Sequence, residues 1–78
     1  MKNIVNKIHE IVSEVLNIDK KEINNSSSSK NIQNWDSLAN FNILISIEKK
    51  FSIKIKTQDY SKLNSVKEII SLVKTFNK

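Results

Sequence analysis

The chain has 78 residues, 38% of them hydrophobic and 27% charged, with a net charge of +5, one histidine and no cysteine, glycine or proline. That describes one small domain over residues 1–78, with no disulfide and no Cys-based zinc site; His9 alone cannot make one, so helix packing must hold the core. All 13 basic residues are lysines, spread from Lys2 to Lys78, and without arginine the charge is a poor footprint for nucleic acid, which is not expected as a partner.

Ile4, Val5, Ile8, Ile11, Val12, Val15 and Leu16 recur with helical spacing, predicting a first amphipathic helix with Asn3 as its N-cap. Asn6, Lys7, His9, Glu10, Ser13 and Glu14 interrupt it, so no membrane span or secretion signal is read there and a cytoplasmic location is expected. Asn17 can take the left-handed turn that ends the helix, since Asn and Ser must replace Gly and Pro as punctuation. Residues 18–34 read as a long Ser/Asn-rich loop, pinned by Ile18, Ile23 and Ile32, with Ser26 to Ser29 solvated.

The second helix is predicted from Asp36 or Ser37 to about Lys50, with Leu38, Phe41, Leu44, Ile45, Ile47 and Phe51 as a wide apolar stripe. Ile53-Lys54-Ile55-Lys56 alternates like a strand, but with no partner strand it reads as an extended linker with two isoleucines in the core. Thr57 is placed to cap a short helix holding Tyr60 and Leu63. Ser65-Val66-Lys67-Glu68 is a capping box opening a last helix with Val66, Ile69, Ile70, Val73 and Phe76 on one face. The fold class is all-α: a small four-helix bundle of three longer helices and a short third one, with a long loop after the first.

Trp35-Asp36-Ser37-Leu38 is the most informative stretch. It sets a serine hydroxyl at the exposed positive end of a helix, where unpaired N–H groups and the peptide dipoles favour a negative charge such as a phosphate ester. No neighbouring residue can use that serine as a nucleophile. The bland alternative is plain N-capping by Asp36 and Ser37.

The element order, Asp36-Ser37-Leu38 opening the second helix, and the tail Phe51-Ser52-Ile53-Lys54-Ile55 together resemble the acyl carrier protein family over essentially the whole chain. The resemblance implies a carrier that is not an enzyme. Ser37 would bear 4′-phosphopantetheine taken from coenzyme A, and Asp36 would help a phosphopantetheinyl transferase and its metal engage the chain. Cargo would travel as a thioester on the arm's thiol, exchanged with acyl- or aminoacyl-loading ligases and acyltransferases. A monomer is expected.

Some residues depart from the family pattern. Asn34 stands where many relatives have a glycine, as the next-best residue for an unusual backbone angle. The second helix offers Ala39, Asn40, Asn42, Lys49 and Lys50 with Glu48 as its only acid, which weakens or alters charge-driven docking and points to a specialised pathway. Phe41 is expected to shrink any cavity between helices, favouring a short or polar cargo. Trp35 either plugs the loop onto the core or, with Leu38, Phe41 and Ile45, forms the partner-binding set. His9 reads as a boundary residue at the edge of the first helix's stripe. Two rival functions remain open: a basic helical module for nucleic acid, and an unmodified adaptor gripping a partner helix through Leu38, Phe41 and Ile45.

Overall fold

The computed structural model describes residues 2–76. In chain order they form α1 (Lys2–Leu16), a 3₁₀ turn (Lys20–Glu22), α2 (Ser37–Phe51), a 3₁₀ helix (Thr57–Lys62) and α3 (Val66–Phe76). The all-α bundle with a long loop after α1 and a short third helix is therefore what the chain adopts. Among the described residues the only strand-like pairing is an isolated antiparallel bridge, Ser28 to Ser65. Ile53 to Lys56 takes no regular secondary structure and pairs with no strand, with Ile55 buried and Ile53 half-buried.

Helix α1 packs on both α2 and α3. It contributes Ile4, Ile8, Ile11, Val12 and Leu16; α2 contributes Ile43, Leu44 and Ile47; α3 contributes Val66, Ile69, Ile70 and Val73. The predicted α2 stripe is thus rotated. Leu38 is 70% exposed and Phe41 46%, while Ile43, absent from the predicted stripe, is fully buried. Apolar residues run almost all round this helix, so spacing alone cannot say which arc meets α1. Phe76, expected on the inner face of α3, is also exposed.

Helix ends show how a chain without glycine turns. Asn17 takes φ 57°, and the N–H groups of Asn17 and Ile18 donate to the carbonyls of Glu14 and Ser13, the paired bonds of a Schellman ending. Ser52 does the same for α2 at φ 55°, with Ile53 N–H donating to Glu48 O. Serine has a Cβ that crowds this conformation. Ser52→Gly should therefore stabilise the fold by about 0.5–1 kcal/mol, raising the thermal midpoint by roughly 2–8 °C. Calorimetry showing no rise would contradict the strain at this position.

Two of three predicted caps differ from the observed ones. Helix α1 begins at Lys2, so Asn3 lies inside it. Thr57 lies inside the 3₁₀ helix, whose N-cap is Lys56 without a side-chain bond. Ser65 does cap α3, accepting from Glu68 N–H at 3.2 Å.

The loop is tied down more firmly than its composition foretold. Ser27 is buried rather than solvated, its Oγ accepting from Asn24 N–H and its carbonyl from Val66 N–H at 2.9 Å. Ser29 N–H donates to Asn64 O. The loop thereby satisfies an orphan donor at the start of α3.

Candidate functional site: a hydroxyl at the mouth of α2

Asp36 is the N-cap of α2, with extended backbone and its Oδ1 accepting from Ala39 N–H at 2.9 Å. Its carbonyl accepts the first intrahelical bond, from Asn40 N–H at 2.8 Å. Capping is therefore done by Asp36 alone. Ser37 is exposed, and among the described residues its Oγ makes no hydrogen bond and the N–H groups of Ser37 and Leu38 have no acceptor. A phosphodiester on that oxygen would lie over the positive helix end, gaining about 0.3–1 kcal/mol. Exposed oxygen, spare donors and helix dipole all fit such a group.

The approach to this site is set by the loop. Asp36 N–H donates to Asn34 O at 3.0 Å, a tight turn just before the helix, and Asn34 Nδ2 donates to Leu16 O at the end of α1. Asn34 is not in the left-handed region, so the expected role as glycine substitute gives way to a side-chain tie between loop and α1.

Trp35 is only 2% exposed. It cannot belong to a partner-binding set, and that expectation is corrected; its indole plugs the loop onto the core. Its Nε1–H donates to Asn40 Oδ1 at 2.8 Å, the partner that a buried indole requires. Asn40 is itself 92% buried (8% exposed), and its Nδ2 donates to Tyr60 O in the 3₁₀ helix at 3.0 Å. Asn40 thus leaves the docking face to which sequence reading assigned it. Phe41 does not fill the interior either: its ring lies outside against Tyr60, centroids 5.6 Å apart. Burial, then the nearby Glu48 carboxylate, raises the Tyr60 hydroxyl above its ordinary value, so it stays neutral at physiological pH. Glu48 Oε2 accepts from Ile55 N–H at 2.7 Å, which turns the one acid of α2 toward the chain's own backbone.

Ser37 stands at a surface groove of about 380 Å³ that also includes Ser29, Trp35, Asp36, Asn40, Ser61 and Asn64. Sequence reasoning missed Ser29, Ser61 and Asn64, because only the tertiary fold brings the loop and the 3₁₀ helix to the mouth of α2. His9 does not line this groove: it is half-buried on α1, its Nε2 3.0 Å from Asn25 Oδ1. Among the described residues no helix is long and apolar enough to cross a membrane.

A small helical module that presents an exposed serine hydroxyl beside its capping aspartate, at the positive end of a helix, is suited to hold a phosphate ester. The family described as the phosphopantetheine attachment site matches residues 6–73. An acyl carrier protein of Buchnera aphidicola from Schizaphis graminum is 36% identical over 78 residues, 100% of this chain and 99% of its own. One from Chlamydia caviae is 34% identical over 68 residues, covering 87% and 88%. A second Buchnera aphidicola carrier, from Acyrthosiphon pisum, is 31% identical over 77 residues, covering 99% and 96%. The chain belongs to the acyl carrier protein family: it is a carrier, not an enzyme, and its cofactor is 4′-phosphopantetheine. Membership brings it into contact with a phosphopantetheinyl transferase and acyl-handling enzymes.

Proposed function

We propose that the phosphopantetheine arm is esterified to Ser37 and that the carrier serves a specialised pathway rather than bulk fatty-acid synthesis. The observation that carries the first part is the division of labour at the helix mouth: Asp36 caps, leaving the Ser37 oxygen exposed and uncommitted. In the modification, the Ser37 Oγ–P bond forms and the pyrophosphate bond of coenzyme A breaks. The hydroxyl proton leaves, and adenosine 3′,5′-bisphosphate departs. Asp36, with its carboxylate exposed beside Ser37, assists the transferase and its metal. The arm supplies a terminal thiol that holds the cargo as a thioester, and the chain's residues present it. The test is intact mass after incubation with coenzyme A, magnesium and a broad-specificity transferase: one phosphopantetheine gained, and none by Ser37→Ala.

The second part rests on the partner face. Leu38, Phe41 and Ile45 follow Ser37 along one arc of α2, with Lys49 further along it and Glu48 engaged by Ile55 N–H. Partners built to grip an acidic helix would find an apolar strip ending in a lysine. Loading would fall to an acyl- or aminoacyl-loading ligase or an acyltransferase with a complementary surface, acting on a cytoplasmic monomer. Malonyl transfer by the host's fatty-acid malonyltransferase should be about tenfold or more slower than to that enzyme's standard carrier. Equal rates would overturn the specialised assignment.

A further inference from the structure

We propose that Lys54, Lys56 and Lys62 form a basic docking collar beside the exposed apolar strip of α2, and that its occupant is an acidic surface on the enzyme that loads the arm. The inference deepens the carrier reading above and rests on Ser37 bearing the arm.

The charge of this chain is unevenly placed. Residues 49–67 hold six lysines (Lys49, Lys50, Lys54, Lys56, Lys62 and Lys67) and one acid, Asp59, a net charge of +5. That equals the net charge of the whole chain, because the other seven lysines are matched by seven acids. All six lysines are exposed, and among the described residues the one ion pair is Lys20 with Glu10, at 3.7 Å. Lys49 and Lys50 share a groove with Glu10 and Glu14 of α1, which offsets them. Lys62 shares one with Lys30 and Glu68, where the cations outnumber the acid.

The fold lays the collar along α2. Ile55 is buried, so the alternating chain turns Lys54 and Lys56 outward, and Ile55 N–H donates to Glu48 Oε2 at 2.7 Å. Further on, the Tyr60 ring meets Phe41, and Tyr60 O accepts from Asn40 Nδ2 at 3.0 Å. Residues 54–62 therefore run back beside α2 from its last turn toward its first. Ser61 lines the Ser37 groove, and Lys62 follows it directly. Leu38 and Phe41 are exposed and Ile45 half-exposed on the neighbouring arc.

An apolar strip edged by cations is complementary to an apolar patch edged by carboxylates. Opposite charge speeds encounter by about tenfold to a thousandfold and like charge opposes it. Without arginine the collar suits nucleic acid poorly. A lipid surface would cover the strip that starts beside Ser37, whereas an enzyme docked there meets the arm's thiol. The enzyme is therefore the occupant that the place of Ser37 selects.

The test begins with the holo chain titrated with oligoglutamate. Backbone amide resonances of Lys54, Lys56 and Lys62 should move most, and those of Lys7, Lys21 and Lys74 little. The shifts should vanish between about 0.01 and 1 M salt, as the screening length falls from roughly 30 to 3 Å. The host's fatty-acid malonyltransferase, an enzyme built to grip an acidic helix, reads the same surface with the sign reversed. The triple variant Lys54→Glu, Lys56→Glu, Lys62→Glu should accept malonyl about tenfold faster than wild type at low salt. The control triple Lys7→Glu, Lys21→Glu, Lys74→Glu has the same net charge and should stay within about twofold of wild type. Equal rates for the two triples, or peptide shifts spread over all exposed lysines, would overturn the collar. Tighter binding to phosphatidylglycerol vesicles than to oligoglutamate would give the face to a lipid surface and overturn the enzyme as occupant. The wild-type peptide map decides the matter even where a triple variant does not fold. If no mass is gained at Ser37, the attachment reading and the collar fall together. Wild-type malonyl transfer as fast as to the standard carrier overturns the specialised assignment alone, and the peptide map still decides the collar.

Discussion

Ser37→Ala is expected to take up no phosphopantetheine at all while keeping the stability of the parent chain. The oxygen that would form the ester is gone, and no partial activity can survive that loss. Stability should change by less than about 0.5 kcal/mol, because Asp36 holds the helix cap and Ser37 Oγ is not hydrogen-bonded among the described residues. Intact mass and a thermal melt of both chains report the two outcomes separately. The experiment also discriminates within the groove, since Ser29 and Ser61 line it too. A mass gain that persists in Ser37→Ala would move the attachment point to another hydroxyl. Asp36→Asn complements it, because asparagine caps as well as aspartate. Slower modification at unchanged melting would assign the carboxylate to the transferase, and an unchanged rate would leave Asp36 with capping alone.

Trp35→Ala is expected to be the most damaging single substitution outside the helices. Removing a buried indole typically costs about 3–5 kcal/mol, a large share of the roughly 5–15 kcal/mol that holds a domain. The variant should be largely unfolded at 37 °C or have a midpoint far below the parent's in urea followed by circular dichroism. Trp35→Phe restores most of the volume but not the N–H donor, so Asn40 Oδ1 stays buried without its partner. That variant should lose about 1–3 kcal/mol yet accept phosphopantetheine at the parent rate, since a residue 2% exposed offers the transferase no contact. Trp35→Ala within about 1 kcal/mol of the parent would contradict the plug. Slow modification of well-folded Trp35→Phe would return Trp35 to the partner face.

Much of the architecture was legible because it is local. The helical spacing of α1 and α3, the Asp36 and Ser65 caps and the left-handed ending at Asn17 are written in runs of a few residues, and the structure has them all. Ser52 was missed because serine seldom takes that turn. Without glycine the signal for it is absent, and only the αL geometry at φ 55° reveals it. The loop was misread for a related reason. Its serines are polar, and only the approach of α3's first turn gives the Ser27 carbonyl its partner, Val66 N–H.

The sequence by itself determined the helices, their order and the exposed serine at the mouth of α2, because helix periodicity and capping depend on neighbours a turn apart. It also carried the family, since the motif and the elements around it lie in one unbroken stretch. Tertiary structure alone decided which arc of α2 faces inward, sending Ile43 into the core and Phe41 out of it. It alone joined Trp35, Asn40 and Tyr60, and it gathered Ser29, Ser61 and Asn64 around Ser37. A helix that is apolar on most sides can satisfy its own backbone in any rotation. Which side is buried is settled only by the surfaces that α1 and the 3₁₀ helix bring against it.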